Sequence, residues 1–418
     1  MSLRRLLAAG LSAASGRLRF RSLSTAAASH PPWAMVSRMA LAYKSEPPTF
    51  YLAEPPLYSY LMMPTDLIYT SDEPGTDSDV EQLLGGLVSS SSGADGLLLL
   101  MCCDGRVASE VVAHKGGNQL RHRTLVHGHV PDITYLVCNP LSGQVFRVPK
   151  LAAREPRVGL LTEADRGYGL PDRFAVAMHY VENKTLRFRS DTGKWDIAEG
   201  APGQWEHPLA QRIRISQEAV AFCGRLWWVD LRCGAMSADP FNDRTETHFV
   251  ELPKGSVLPE AQGAEAKLPM RKYRRMGVSE GRLRYVEVSQ RDPFVLSSFT
   301  LDEEGSGDWT LEHRVALSRV WAADGGSQPL QGPQICVLDP LNANLIHLVV
   351  DDHVVAVDMD VGKVTGISLL PPDNLGGLGF IPCVLGSTRI PTSTGKEIFT
   401  DQAYADVQVH SDRDDDEY

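Results

Sequence analysis

The sequence lacks any apolar run long enough to cross a membrane, and it lacks an excess of basic residues. Its longest apolar candidates, GLLLLMCC and LIHLVV, fall far short of the roughly 18–20 residues that a spanning helix needs. The chain of 418 residues carries 41 basic and 52 acidic side chains, a formal charge of −11. Affinity for nucleic acid comes from basic surface that neutralises phosphates. We therefore expect neither a transmembrane segment nor a nucleic-acid partner.

Cysteine is too scarce for a disulfide framework, because seven thiols make an odd count in a long chain without a recognisable secretory leader. Most of them lie inside apolar runs, where free cysteine behaves as a small buried hydrophobe. Adjacent Cys102 and Cys103 would point to opposite faces of a strand, so they cannot form a metal site by themselves. We predict no disulfide and assign no metal-binding residue.

Acidic residues are missing from the first 45 positions, which carry seven basic side chains and many Ser and Ala residues. This composition is typical of a transit peptide. Leu3, Leu7 and Leu11 fall at helical spacing, which places an apolar stripe beside the arginines. We predict that residues 1–45 are a disordered leader with a mitochondrial address. A plastid address, or a basic arm with no address in a cytosolic or nuclear protein, remains open.

The last 18 residues have the opposite character. Residues 401–418 hold seven acidic side chains against Arg413 alone. Blocks of like charge repel one another and extend into solvent. We predict a disordered acidic tail.

Helical periodicity is nearly absent between these ends, and the chain instead alternates strand-length apolar runs with turn residues. Five of the turns recur at intervals of 52, 48, 53 and 47 residues, at Asn139, Asp191, Asp239, Asp292 and Asp339. A period near 50, with about four strands in each unit, is typical of a propeller blade. The pattern predicts an all-β protein, a β-propeller of six blades over residues 46–400, with both ends of this region completing one blade. Two packed β-sandwiches remain an alternative.

The stretch VAFCGRLWWVDLRCGAMSADPF belongs to one such blade and contains two adjacent tryptophans. Alternation along a strand places Trp227 on the face of Val229 and Leu231, and Trp228 on the opposite face. We expect each tryptophan to pack against a different neighbouring blade. The alternative is that one of them lines a ligand surface, since aromatic side chains are enriched in recognition patches.

Several segments resemble known families. SGADGLLLLMCCDGR, YLVCNPLSGQVFRVPKL and LRFRSDTGKWD are similar to the β-propeller domains that follow F-boxes in plant proteins. AFCGRLWWVDLRCGAMSADPF, RLRYVEVSQRDPFVLSSFTL and VVAVDMDVGKVTGISLL resemble the plant family called domain of unknown function 1618, most specifically over residues 222–370. The resemblance implies a propeller-like fold and no established activity, so no catalytic residue is transferred. The N-terminal region lacks the leucine-rich segment of an F-box.

Isolated motifs for chemistry are present but lack supporting context. Ser279 lies in GVSEG, which matches a nucleophile elbow, yet a strand follows it where the elbow needs a helix. His122, His127 and His129 cluster in RHRTLVHGH without further recognisable metal ligands. The carboxylates of VVDDH and VDMDVG do not have the spacing of a calcium loop, and we assign them to hairpin turns: Asp351, Asp352, Asp358 and Asp360.

Two further short features are of low specificity. Arg271, Lys272, Arg274 and Arg275 form a basic run, which we interpret as a solvated loop, with contact to an acidic partner as the alternative. Asn183 begins a formal glycosylation acceptor, which matters only in a secreted protein.

The sequence thus favours a non-enzymatic interaction module whose propeller scaffold recognises a protein or peptide. We assign no catalytic, cofactor-binding or metal-binding residue and expect no cofactor. One alternative is an enzyme or small-ligand binder that uses the central channel. Another is a degenerate F-box-type substrate adaptor.

Overall fold

The computed structural model describes most of the predicted propeller. The described residues are 30–43, 48–68, 80–108, 111–115, 118–122, 132–151, 158–164, 169–180, 184–200, 207–210, 213, 217–259, 270–302, 307–323, 332–370, 379–386 and 389–391. The acidic tail, and residues 1–29 of the predicted leader, lie outside this part of the chain.

Strands dominate the described residues. The first nine are β1 (Trp33–Tyr43), β2 (Thr49–Tyr51), β3 (Tyr58–Pro64), β4 (Val80–Ser91), β5 (Leu98–Ala108), β6 (Val111–Lys115), β7 (Asn118–His122), β8 (Asp132–Cys138) and β9 (Val145–Arg147). The next nine are β10 (Gly159–Glu163), β11 (Arg173–Tyr180), β12 (Lys184–Arg189), β13 (Lys194–Gly200), β14 (Glu218–Phe222), β15 (Arg225–Asp230), β16 (Gly234–Ala238), β17 (Arg244–Thr245) and β18 (His248–Glu251). The last nine are β19 (Arg274–Ser279), β20 (Arg282–Val288), β21 (Val295–Leu301), β22 (Trp309–Ala316), β23 (Gln334–Leu338), β24 (Leu345–Val350), β25 (His353–Asp358), β26 (Lys363–Leu369) and β27 (Phe380–Val384).

Helical structure within the same residues is short. Helix α1 (Thr65–Ile68) precedes β4, and helix α2 (Leu317–Ala323) follows β22. Single 3-10 turns occur at Gly93–Asp95 and Met270–Lys272.

Most strands form antiparallel four-stranded units in chain order. The regular sheets are β14-β15-β16-β18, β19-β20-β21-β22 and β23-β24-β25-β26, and the sheet β10-β11-β12-β13 gains β17 as a parallel outer strand. A larger sheet has the order β2-β3-β1-β4-β5-β8-β9, with β27 paired to β1. Strands β6 and β7 pair with each other. The chain is therefore all-β, as the sequence predicts.

The sheets are arranged around a common centre. Strand β4 contacts β10, β10 contacts β14, β14 contacts β19, β19 contacts β23, β23 contacts β27, and β27 contacts β4. These six strands, which we call the inner strands, thus follow one another and return to the start. The arrangement is propeller-like. Because β1 pairs with both β27 and β4, two of the groups share one continuous sheet, and the number of six blades stays a prediction.

The two ends of the described chain meet, as the sequence predicts. Strand β27 pairs with β1 in an antiparallel register in which Trp33 lies opposite Val384 and Ser37 opposite Phe380. Strand β1 also pairs in parallel with β3. The fold is therefore closed by residues from opposite ends of the chain.

The position of β1 corrects the predicted boundary of the leader. Residues 33–43 lie within the first 45 positions, yet they form a strand in which Ala34 and Met35 are fully buried. The sequence reading failed because it weighed the missing acidic residues more heavily than the apolar run WAMVSRMALAY. The ordered fold begins before residue 46.

The hydrophobic cores lie between successive sheets. Trp227 packs in one cluster with Met276 and Tyr285 of the following sheet. Trp228 packs in another with Leu161 and Ala177 of the preceding sheet. The expectation that the two tryptophans serve different neighbours is confirmed.

The five turns that indicated a repeat do not occupy equivalent places. Asn139, Asp191 and Asp239 follow the third strand of their units, but Asp292 follows the second strand, β20, and Asp339 follows the first, β23. The inner strands of the four sheets from β10 onward begin at residues 159, 218, 274 and 334, which are 59, 56 and 60 residues apart. A marker that recurs about every 50 residues therefore slips backward through successive units. The fold class was correct, but the alignment of these turns was wrong.

Candidate functional site

Polar side chains link the inner strands at the centre of the fold. The inner strands of the four sheets from β10 onward are end strands, and the free edge of an end strand carries backbone groups that need partners. Serines of β4 supply some of them. Ser89 Oγ donates to Val158 O at 2.8 Å, Leu160 N donates to Ser90 Oγ at 3.0 Å, and Ser91 Oγ donates to Pro382 O at 3.0 Å.

A buried group of charged residues lies in the same region. Arg275 of β19 forms an ion pair with Glu218 of β14, with 2.6 Å between Nε and Oε1, and both side chains are almost fully buried. Glu218 Oε2 accepts a hydrogen bond from Met276 N at 3.0 Å, and Arg275 Nη2 donates to Phe380 O at 2.8 Å. We call Arg38, Glu218 and Arg275 the axial cluster. It connects three strands that come from distant parts of the sequence.

Arg38 reaches the cluster through an irregularity in β1. The register between β1 and β3 shifts between Val36 and Ala40, at the point where β1 passes from β27 to β4. Such bulges redirect side chains. The guanidinium of Arg38 is only 4% exposed, although it belongs to an otherwise apolar strand.

The hydrogen bonding of Arg38 is incomplete. Its Nη1 donates to Ser89 O at 3.5 Å, and its Nε has no hydrogen-bond partner among the described residues. Burial lowers the pKa of Arg38 well below its ordinary value, and the charges of Arg271 and Arg275 lower it further, while Glu218 opposes them. Arg38 is therefore a buried cation held near like charges.

This arrangement is chemically suited to an anion. Within the axial cluster two guanidinium groups face one carboxylate, which is already in an ion pair. Such a site repels metal cations, and it stabilises carboxylate or phosphate oxygens through charge-assisted hydrogen bonds. No group of three metal-ligating side chains occurs among the residues that the structure describes.

Ser279 is in a hairpin turn, as the sequence interpretation favoured. It ends β19, pairs with Arg282 at the start of β20, and is followed by Glu280 and Gly281 with positive φ. Its buried hydroxyl donates to Asp339 O at 2.6 Å. This hydrogen bond uses the hydroxyl to tie β19 to β23, so the geometry is not that of a nucleophile elbow.

The histidine motif and the acidic motifs contribute no assembled site. His127 and His129 lie outside the described residues, and the backbone of His122 ends β7. Asp351 has a positive φ in the turn between β24 and β25. Asp358 accepts backbone hydrogen bonds from residues 360 and 361, so it caps the turn before β26. The hairpin interpretation of these carboxylates is confirmed.

The basic run is not a solvated loop, which corrects the sequence interpretation. Arg274 donates to Leu231 O and Ser256 O, and Arg275 belongs to the axial cluster. The reason is that these residues start strand β19 between two sheets. The glycosylation motif cannot be assessed, since Asn183 lies outside the described residues.

All seven cysteines are free, which agrees with the prediction of no disulfide. Burial raises the pKa of Cys102, Cys336 and Cys383 to about 12. Such thiols remain protonated at neutral pH and are unreactive.

Sequence reasoning missed Arg38 and Glu218 entirely. A signal was available for Arg38, because it interrupts the apolar run WAMVSRMALAY, where a charge is out of place unless it has a partner. Glu218 gave no comparable signal, since its burial depends on the approach of β19 to β14.

The described residues thus define an all-β, propeller-like protein with a charged cluster at its centre. Residues 228–356 match the model of the family described as "Protein of unknown function (DUF1618)". This match confirms the family resemblance read from the sequence over that range. No curated protein matches the chain. None of the described helices is both long enough and apolar enough to span a bilayer.

Solved structures share only a distant likeness with this chain. AztD from Citrobacter koseri is 10% identical, with coverage of 79% of this chain and 82% of that chain and a TM-score of 0.32. A chain of a mitotic checkpoint complex structure is 10% identical, with coverage of 78% and 91% and a TM-score of 0.34. At this level of similarity neither carries an argument about function.

Proposed function

We propose that the protein is a non-enzymatic recognition scaffold that binds a protein partner through an exposed apolar face of β26. The observation that carries this proposal is the exposure of Ile367 and Leu369, which are 44% and 56% accessible. Residues two apart on a strand project to the same face. Adjacent large apolar side chains on a surface are typical of interaction sites, whereas scattered ones are not.

The exposed face continues outward from the hydrophobic core. Ile367 lies opposite Val355 across the β25–β26 ladder, and directly opposed residues share a face. Val355 is buried in a cluster that also contains Leu317 and Trp321 of helix α2. Helix α2 contacts β26 as well. A partner would therefore extend an existing core rather than cover an isolated residue.

The back of β26 is held in place by the N-terminal part of the chain. Ser368 Oγ donates to Pro56 O at 2.7 Å, and a Cβ added at Gly366 would lie 3.2 Å from the ring of Pro56. This support makes the strand a rigid platform. Rigid presentation of apolar side chains reduces the conformational entropy that binding must overcome.

The test compares partners of the full chain with those of a double variant, Ile367→Ser with Leu369→Ser. The matched control is Val361→Ser, which changes an apolar residue that is 59% exposed in the turn before β26. Partners captured by quantitative proximity labelling would be purified and titrated by calorimetry. We expect the double variant to bind at least about tenfold more weakly, which corresponds to about 1.4 kcal/mol. A partner that binds the double variant as tightly as the parent would contradict the proposal.

Two finer points stay separate from this surface. A mitochondrial address for the leader is a proposal that rests on composition, and imaging of the full chain fused at its C-terminus to a fluorescent protein would test it. Small-ligand binding at the centre of the fold, the second candidate function, is favoured by the axial cluster.

A further inference from the structure

The starting point is the unsatisfied guanidinium of Arg38. An arginine side chain offers five N–H donors and cannot shed its charge. Among the described residues, one hydrogen bond is made by this side chain, at 3.5 Å from Nη1 to Ser89 O. A buried charge without full hydrogen bonding is strongly destabilising, so native proteins supply a partner for it.

The nearest opposite charge is already committed. Glu218 is paired through Oε1 with Arg275 and accepts a backbone hydrogen bond through Oε2. The cluster of Arg38, Arg275 and Glu218 therefore keeps one positive charge in excess. One bound anion would complete its charge balance.

Space beside Arg275 is created by a glycine. Gly379 has a φ of +78°, and a Cβ added there would lie 3.4 Å from Arg275 Nη1. The backbone of the same glycine accepts a hydrogen bond from Arg38 N at 3.2 Å. Arg38 and Arg275 thus flank one point on the chain, immediately before β27. A larger residue at position 379 would fill the space next to the guanidinium.

We infer that the axial cluster is a binding site for a small oxyanion, held between the guanidinium groups of Arg38 and Arg275. Guanidinium groups present parallel donors that match the oxygens of a carboxylate or a phosphate. The ligand class is therefore a small molecule with an exposed carboxylate or phosphate group. This site is remote in sequence and in sheet from the apolar face of β26, so it does not depend on the proposed function.

The test measures binding of two probes, inorganic phosphate and succinate, to the full chain. Calorimetry gives the affinities, and thermal unfolding is compared with sodium chloride at equal ionic strength. We expect at least one probe to bind and to raise the unfolding temperature beyond the effect of chloride. Binding of phosphate alone or of succinate alone would identify the oxyanion group. If neither probe binds, the inference is overturned.

Variants assign the binding to the cluster. Arg38→Met removes the guanidinium, and we expect the response to the probe to disappear, while stability without the probe stays equal to or above that of the parent. Arg319→Met, on an exposed position of helix α2, is the matched control and should keep the response. If the methionine variant fails to fold, Arg38→Lys retains a charge without the donor fork and should bind at least tenfold more weakly. Parent-like affinity in the folded Arg38 variant would refute the assignment.

Discussion

His347 and Arg38 are two bases that the fold buries without complete hydrogen bonding. His347 of β24 is 1% exposed, its Nδ1 has no hydrogen-bond partner among the described residues, and its ring packs edge-on against Trp33 at 5.5 Å. Burial lowers the pKa of His347 to about 4 from the ordinary 6.5. The neutral imidazole is therefore the form that the folded state requires.

This burial predicts a loss of stability in mild acid. The unfolded chain takes up a proton on His347 below about pH 6.5, whereas the folded chain does so only near pH 4. The contribution is complete above pH 6.5 and is lost as the pH falls through this window. We expect His347 to account for about 1–2 kcal/mol of the decrease in the free energy of unfolding between pH 7.5 and pH 5. Urea titrations of the parent and of His347→Phe would measure it, and equal decreases in both would contradict it.

Sequence reasoning worked at the residue scale where local alternation decides the outcome. It placed Trp227 and Trp228 on opposite faces of β15 because side chains alternate along any strand. It could not place Arg38 beside Arg275, because their approach depends on the ring of inner strands and on a register shift in β1. Charged residues that meet only through closure of the fold leave no local pattern.

Individual strands act as partners of particular neighbours, which can be measured by mutational coupling. Trp228 shares its cluster with Leu161 of β10, and Trp227 shares its cluster with Met276 of β19. We expect Trp228→Ala to cost about 3–5 kcal/mol, since the side chain is fully enclosed. Double-mutant cycles should show about 0.5–3 kcal/mol of coupling between residues 228 and 161, and close to none between residues 228 and 276. The reverse pattern would show that the faces have been misassigned.

Turns were a poorer guide to the elements than strands were. Asn139 and Asp339 both accept backbone hydrogen bonds from the two residues that begin the turn, so their local chemistry is the same. One follows β8 and the other follows β23, which are different positions within their units. An Asx turn records a chain reversal but not which hairpin it belongs to. Strand identity follows instead from the spacing of the inner strands, which only the structure reveals.

At the scale of the whole molecule, stability depends on the pairing of β27 with β1. We expect a chain that ends at residue 391 to unfold cooperatively like the full chain, since both strands remain. A chain that ends at residue 370 lacks β27 and exposes the edge of β1, so it should lose its cooperative transition. Thermal unfolding followed by circular dichroism would distinguish the two. An unchanged transition in the shorter chain would show that this closure is dispensable.

The same closure decides when the protein can become folded. Strand β1 near the start of the chain has to wait for residues 380–384, so β27 can dock only after nearly all of the polypeptide has been made or delivered. During that delay the unpaired edge of β1 would be open to proteases and to other chains. Any processing enzyme that trims the amino-terminal segment must also cut ahead of Trp33, because a later cut would remove the strand that the last inner strand needs. We expect translation arrested before residue 380 to yield a protease-sensitive product, and resistance in that product would argue against this order of events.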